Sequence, residues 1–156
     1  MGSWGIKALE SDSGLDVIDF LEDFYYGKTK ITLSEIITEF QKEGFLSSDF
    51  EDIEFLYDNT AMSLAELYLM FKEAGELNYD NEDEKKSLRN KKSFDADKKS
   101  ILFILRYLTD IKNEKKDEEG IREFTELMKK SDYWEESKNH LDFLITKLNK
   151  EKTKVQ

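Results

Sequence analysis

The chain has 156 residues, of which 38% are hydrophobic and 38% charged, carries a net charge of −11, and contains neither cysteine nor proline. Without cysteine there are no disulfides, thiolate metal sites or cysteine nucleophiles, and no apolar run approaches the ~18 residues that a membrane helix needs. The opening residues lack a basic region followed by an apolar stretch, so the expectation is a soluble cytoplasmic protein without a signal peptide.

Apolar spacing is helical along most of the chain. A first helix is predicted over residues 13–26, with Val17, Phe20, Leu21, Phe24 and Tyr25 on one face. Thr32 and Glu35 have capping-box spacing and open a second helix through Leu33, Ile36, Ile37 and Phe40, stopping near Gly44. Ser48 and Glu51 repeat the spacing and predict a short helix through Phe50, Ile53 and Leu56, broken at Asn59 and Thr60. Ser63 and Glu66 open another, through Leu64, Leu67, Tyr68, Phe71 and Ala74, with Gly75 near its end. Residues 78–96 are polar and weakly periodic, which predicts a long loop or a solvated helix extension. A helix capped near Asp95 or Asp97 then carries Ile101, Leu105, Leu108 and Ile111. After a charged break at 113–118, Ile121, Phe124, Leu127 and Met128 form the next stripe. Asp132 and Glu135 mark the start of a last helix with Trp134, Leu141, Leu144, Ile145 and Leu148. The charged tail over 149–156 is expected to fray. With no strand alternation, repeat or dividing linker, the expected fold class is all-α, a single bundle-like domain over residues 1–156 with about six or seven helices.

Charge is unevenly spread: residues 1–80 hold 18 acids and 5 bases, residues 81–156 hold 17 and 19. An acidic half repels phosphate backbones and favours basic protein partners, so no nucleic acid is expected as partner. Its most ordered feature is Asp12, Asp16, Asp19 and Asp23, at spacings of four, three and four. At 100° per residue these carboxylates form a stripe opposite the apolar face of the first helix. The stripe reads as a solvated face, with carboxylates near the helix start favoured by the macrodipole, before it reads as a surface for a basic protein or a weak divalent-cation site, and no Glu-x-x-His pair supports a bundle-type metal site. Asn78 to Glu84 begins like a calcium loop but has Asp83 where the turn needs glycine and Arg89 where a bidentate glutamate is needed. The single histidine, His140, supports neither a triad nor a zinc site and reads as a flank residue or satisfied hydrogen bonder. Lys85, Lys86, Arg89, Lys91, Lys92, Lys98 and Lys99 read as a solvated basic run interleaved with acids. No glycine-rich phosphate loop or nucleophile elbow is present, so no catalytic residue, cofactor or metal is expected.

The amino terminus places Trp4 between Gly2 and Gly5, so that the backbone can turn tightly while the indole anchors the arm to the core. With Gly2, Trp4 and Gly5, then Asp12, Leu15 and Asp16, this opening resembles a family of small bacterial proteins catalogued as domain of unknown function 4259. The family form is Met-Gly-x-Trp-Gly followed by an Asp-rich stretch with a Leu-Asp pair; after Trp4 this chain reads Gly-Ile-Lys where the family form has Gly-Thr-Gly. The resemblance covers about the first 25 residues and implies no activity. The motif reads as a folding anchor before it reads as a binding surface.

The expected function is a non-enzymatic interaction module presenting its acidic surface to a more basic protein, of which immunity-like or antitoxin-like capture of a toxin is one form. The alternative is a small-molecule or regulatory sensor, which an apolar pocket with convergent polar groups would favour.

Overall fold

The computed structural model describes residues 8–75, 77 and 91–155; the Trp4 arm, with Gly2 and Gly5, and residues 78–90 of the charged segment lie outside them. A 3₁₀ turn (Ala8–Glu10) leads into α1 (Asp12–Phe24), where Ser11 caps the helix by accepting from the Gly14 amide at 3.1 Å. Val17, Ile18, Leu21 and Tyr25 are fully buried, each removal from water contributing about 1.5–3 kcal/mol. Strand β1 (Lys30–Thr32) runs straight into α2 (Leu33–Lys42). As the spacing predicts, the Thr32 hydroxyl accepts from the Glu35 amide, and Gly44 takes the left-handed conformation (φ 84°) just past the helix.

Two expectations fail in the next stretch. Residues 45–54 form no helix: the Ser47 hydroxyl accepts from the amides of Asp49 and Phe50, and the Asp49 carboxylate accepts from the Glu51 amide. Serine and aspartate here bond to nearby backbone in turns instead of capping a helix, and Phe50 sits at φ 65°. There is also no break at Asn59 and Thr60, because α3 (Phe55–Ala74) is one unbroken helix. Nearly everything from Asp58 to Leu69 is buried, polar residues included. Asn59 donates its side-chain amide to the Ser11 hydroxyl at 3.2 Å, so its hydrogen bonds are met without leaving the helix. Tertiary burial outweighs the local capping signal of Ser63 and Glu66. Gly75 then ends α3 in the left-handed conformation.

Strand β2 (Ser93–Asp95) pairs in parallel with β1, placing Ile31 beside Phe94, both buried. Asp97 caps α4 (Lys98–Lys112) in a reciprocal box with Ser100. The charged break beyond it holds two further strands, β3 (Lys116–Asp117) and β4 (Gly120–Ile121), which pair antiparallel. The Asp117 carboxylate accepts from the Ile53 amide at 2.8 Å, which ties this hairpin to the turns after α2. These four short strands are not visible as alternation, since each is two or three residues long.

Helix α5 (Glu123–Lys130) buries Phe124 and Met128, and α6 (Trp134–Lys152) buries Leu141, Leu144 and Leu148. The expected cap at Asp132 is absent: Tyr133 holds the cap position without a side-chain bond. Nor does the tail fray from residue 149, for the helix continues to Lys152 and Val155 packs against the core. The result is an all-α bundle of six α-helices among the described residues, with α3 at its centre and one continuous core around it. Part of that core is a cluster of Phe20, Phe40 and Phe45, whose rings stand 4.9–5.3 Å apart.

Candidate functional site

Helix α1 is amphipathic by construction. Its buried face is fixed by Val17, Ile18 and Leu21, so residues at 12, 16, 19 and 23 must face outward. All four aspartates are exposed, and the structure brings them together on one side of the helix as the spacing requires. No lysine or arginine occurs within α1. Some exposed acids elsewhere pair with lysines, as in Lys112–Asp142 at 2.7 Å and Lys129–Glu114 at 2.6 Å. Among the described residues no ion pair reaches Asp12, Asp16 or Asp23. Beside the stripe stand two exposed apolar side chains, Leu15 on the helix and Tyr26 just past its end, 45% and 78% exposed.

Among the described residues, the interior holds three charged groupings with different chemistry. Arg122 is 2% exposed, and its guanidinium donates to Asp58 at 3.3 Å and to Asp110 at 3.0 Å. One cation therefore serves two carboxylates. Burial pushes the Asp58 carboxyl up to about 8, against the opposing pull of Arg122. One oxygen of Asp58 and the Arg122 Nε have no hydrogen-bond partner among the described residues.

Glu66, also buried, accepts from the amides of Ala8 and Leu9 at 2.8 and 2.9 Å and from His140 Nε2 at 2.8 Å. It thereby joins the 3₁₀ turn, α3 and α6. His140 is thus a satisfied hydrogen bonder, placed 74 residues from its partner where no spacing rule could find it.

The third grouping corrects the reading of the basic run. Lys91 is not solvated but 3% exposed, and its ammonium donates to the Tyr25 carbonyl at 2.7 Å and also to the Lys28 carbonyl. Burial lowers its pKa, with the nearby Glu22 charge opposing. It closes the carbonyl end of α1, a favourable place for a cation.

Among the described residues, clefts open at the surface in two places that bear on function. One, of about 440 Å³, lies between α2 and α4, with Ser34, Thr38, Gln41, Asp97 and Lys99 around Ile37 and Phe103. The other, of about 290 Å³, lies over Glu66 and His140. Among the described residues, Asp52, Glu118 and Glu119 also bring carboxylate oxygens within 4.8 Å of one another, all exposed. No helix of the described residues is long and apolar enough to cross a membrane.

No protein-family model, no curated protein and no solved structure matches this chain.

Proposed function

We propose that the chain is a non-enzymatic interaction module whose α1 face docks a more basic protein. The observation that carries this reading is an arrangement of charge that, beyond the first turn, works against the helix bearing it. Asp12 and Asp16, and Asp19 and Asp23, are like charges four residues apart, and Asp16 and Asp19 are three apart. Each such pair destabilises a helix by about 0.2–0.5 kcal/mol. Asp23 also sits in the last turn, which contains no base, and there the macrodipole disfavours a carboxylate. The macrodipole favours Asp12 in the first turn, but helix stability gives no reason for Asp16, Asp19 and Asp23, whereas attraction of a basic surface does. Leu15 and Tyr26 add apolar area at its edge, the composition of an interface with a charged rim. Neutralisation of a basic toxin, as immunity proteins and antitoxins do, is one form such docking takes.

The test is capture from the native cell by the tagged chain, run beside the variant Asp12→Asn/Asp16→Asn/Asp19→Asn/Asp23→Asn at low and high salt. A basic protein held stoichiometrically by the wild type, released by salt and missed by the variant is the expected result. Capture that is indifferent to both salt and the four substitutions sinks the reading.

A further inference from the structure

Glu66, Leu69, Met70 and Glu73 share one face of α3, and His140, Phe143 and Leu144 share one face of α6. With Leu9 they enclose the half-open cleft of about 290 Å³. That is at the small end of the ~300–1,000 Å³ of ligand pockets, room for one ring with a short side chain. The walls are mostly apolar. Met70 supplies an unbranched thioether that adapts to what it touches, and Phe143 is 48% exposed, an aromatic side chain at the cleft with the His140 ring stacked beside it at 6.5 Å.

Set into these walls are two carboxylates. A carboxylate has about four acceptor positions. Those of Glu66 take three donors, two amides and His140, which leaves one position on Oε1. Glu73 at the rim is exposed and makes no ion pair among the described residues. Lys147 holds its ammonium 5.6 Å from the Phe143 centroid, so a cation already covers that ring and a ligand's own charge is left to the carboxylates. An anion here would face two like charges, and a neutral ligand would leave Glu73 to water. An ammonium group supplies three donors, which Glu73 at the rim or the open Glu66 position can accept.

We infer that the cleft between the 3₁₀ turn, α3 and α6 binds a small amine with an apolar body, an arylalkylamine in size and chemistry. This site is independent of the α1 docking face.

The test uses the full chain and 2-phenylethylamine, with 2-phenylethanol and 3-phenylpropanoate as neutral and anionic counterparts, followed by NMR of the Met70 methyl and the His140 ring. Saturable shifts at both residues are expected with the amine, affinity weaker by about tenfold or more with the alcohol, and none with the carboxylate. Glu73→Gln, at an exposed position, should bring the amine down to the affinity of the alcohol. Met70→Trp, which fills the cleft, should remove the response of the His140 ring. Equal affinity for amine and alcohol, amine binding that survives Met70→Trp, or no saturable shift with any of the three overturns the site. The α1 variant with four asparagines should bind the amine as the wild type does, so failure of docking and failure of this site are read separately.

Discussion

One arginine shared by buried Asp58 and partly buried Asp110 leaves a carboxylate without a compensating charge, and burying an unpaired carboxylate costs several kcal/mol. Holding a proton on Asp58 removes that cost, which is the sense of its rise from an ordinary 3.8 to about 8. The consequence for stability has a definite sign. Between those values the folded chain keeps a proton that the unfolded chain has lost, so this group's contribution is complete below about 4 and is lost as pH rises toward about 8. Denaturant unfolding from pH 5 to 9 should show stability falling through that window. Asp58→Asn, which carries no titrating proton, should flatten the fall; an unchanged profile in the variant would put the titration elsewhere. None of this is legible in the sequence, because Arg122 lies 64 residues from Asp58 and nothing in either neighbourhood marks the pairing. The four aspartates of α1 are the opposite case, readable because their relation is set by the helix alone.

At the scale of elements, capping-box spacing marks a true cap at Thr32 but not at Ser48, Ser63 or Asp132, so the spacing alone does not place a helix start. Thr32 and Asp97 cap as predicted, at exposed positions. Ser63 lies wholly inside α3, where the surrounding core decides the backbone. Packing also governs the start of α1. A Cβ on Gly14 would stand 2.2 Å from the Ala8 carbonyl oxygen and 2.7 Å from the Leu9 Cα. Gly14→Ala therefore sets a helix-propensity gain of about 1 kcal/mol against a clash with backbone that cannot rotate away. We expect net destabilisation of about 1–3 kcal/mol by chemical denaturation; a variant more stable than the wild type would show that the 3₁₀ turn is not held against α1. At the other end, Asp23→Asn removes a carboxylate from the last turn. It should raise stability by about 0.3–1 kcal/mol while weakening partner capture, the trade expected where charge is kept for binding. A loss of stability on this substitution would mean that Asp23 serves the fold instead.

Across the whole molecule, all-α class and bundle architecture were readable from the 3.6-residue period, since each amphipathic stripe needs a partner. The central place of α3 was not. Its long run of buried residues, polar ones among them, is a property of the assembled core. The short β1–β2 pair escaped notice for a related reason, as it joins residues far apart in the chain with too little length to alternate. Charge, in contrast, is a whole-chain quantity that the sequence states outright, and the structure gives it a place. Lysines of α4, α5 and α6 pair with some of the exposed acids on α5, on α6 and just past α4, and α1 carries no base. A long-range field of one sign acts mainly on encounter, raising association rates about 10- to 1,000-fold at low ionic strength.

The most direct test of the docking account is therefore the association rate constant of the captured basic protein, measured by stopped flow across ionic strength for the wild type and the four-asparagine α1 variant. A steep fall with salt is expected for the wild type, with a slow and nearly salt-independent rate for the variant and convergence of the two at high salt. Equal rates with equal salt dependence would contradict it and remove α1 from the interface.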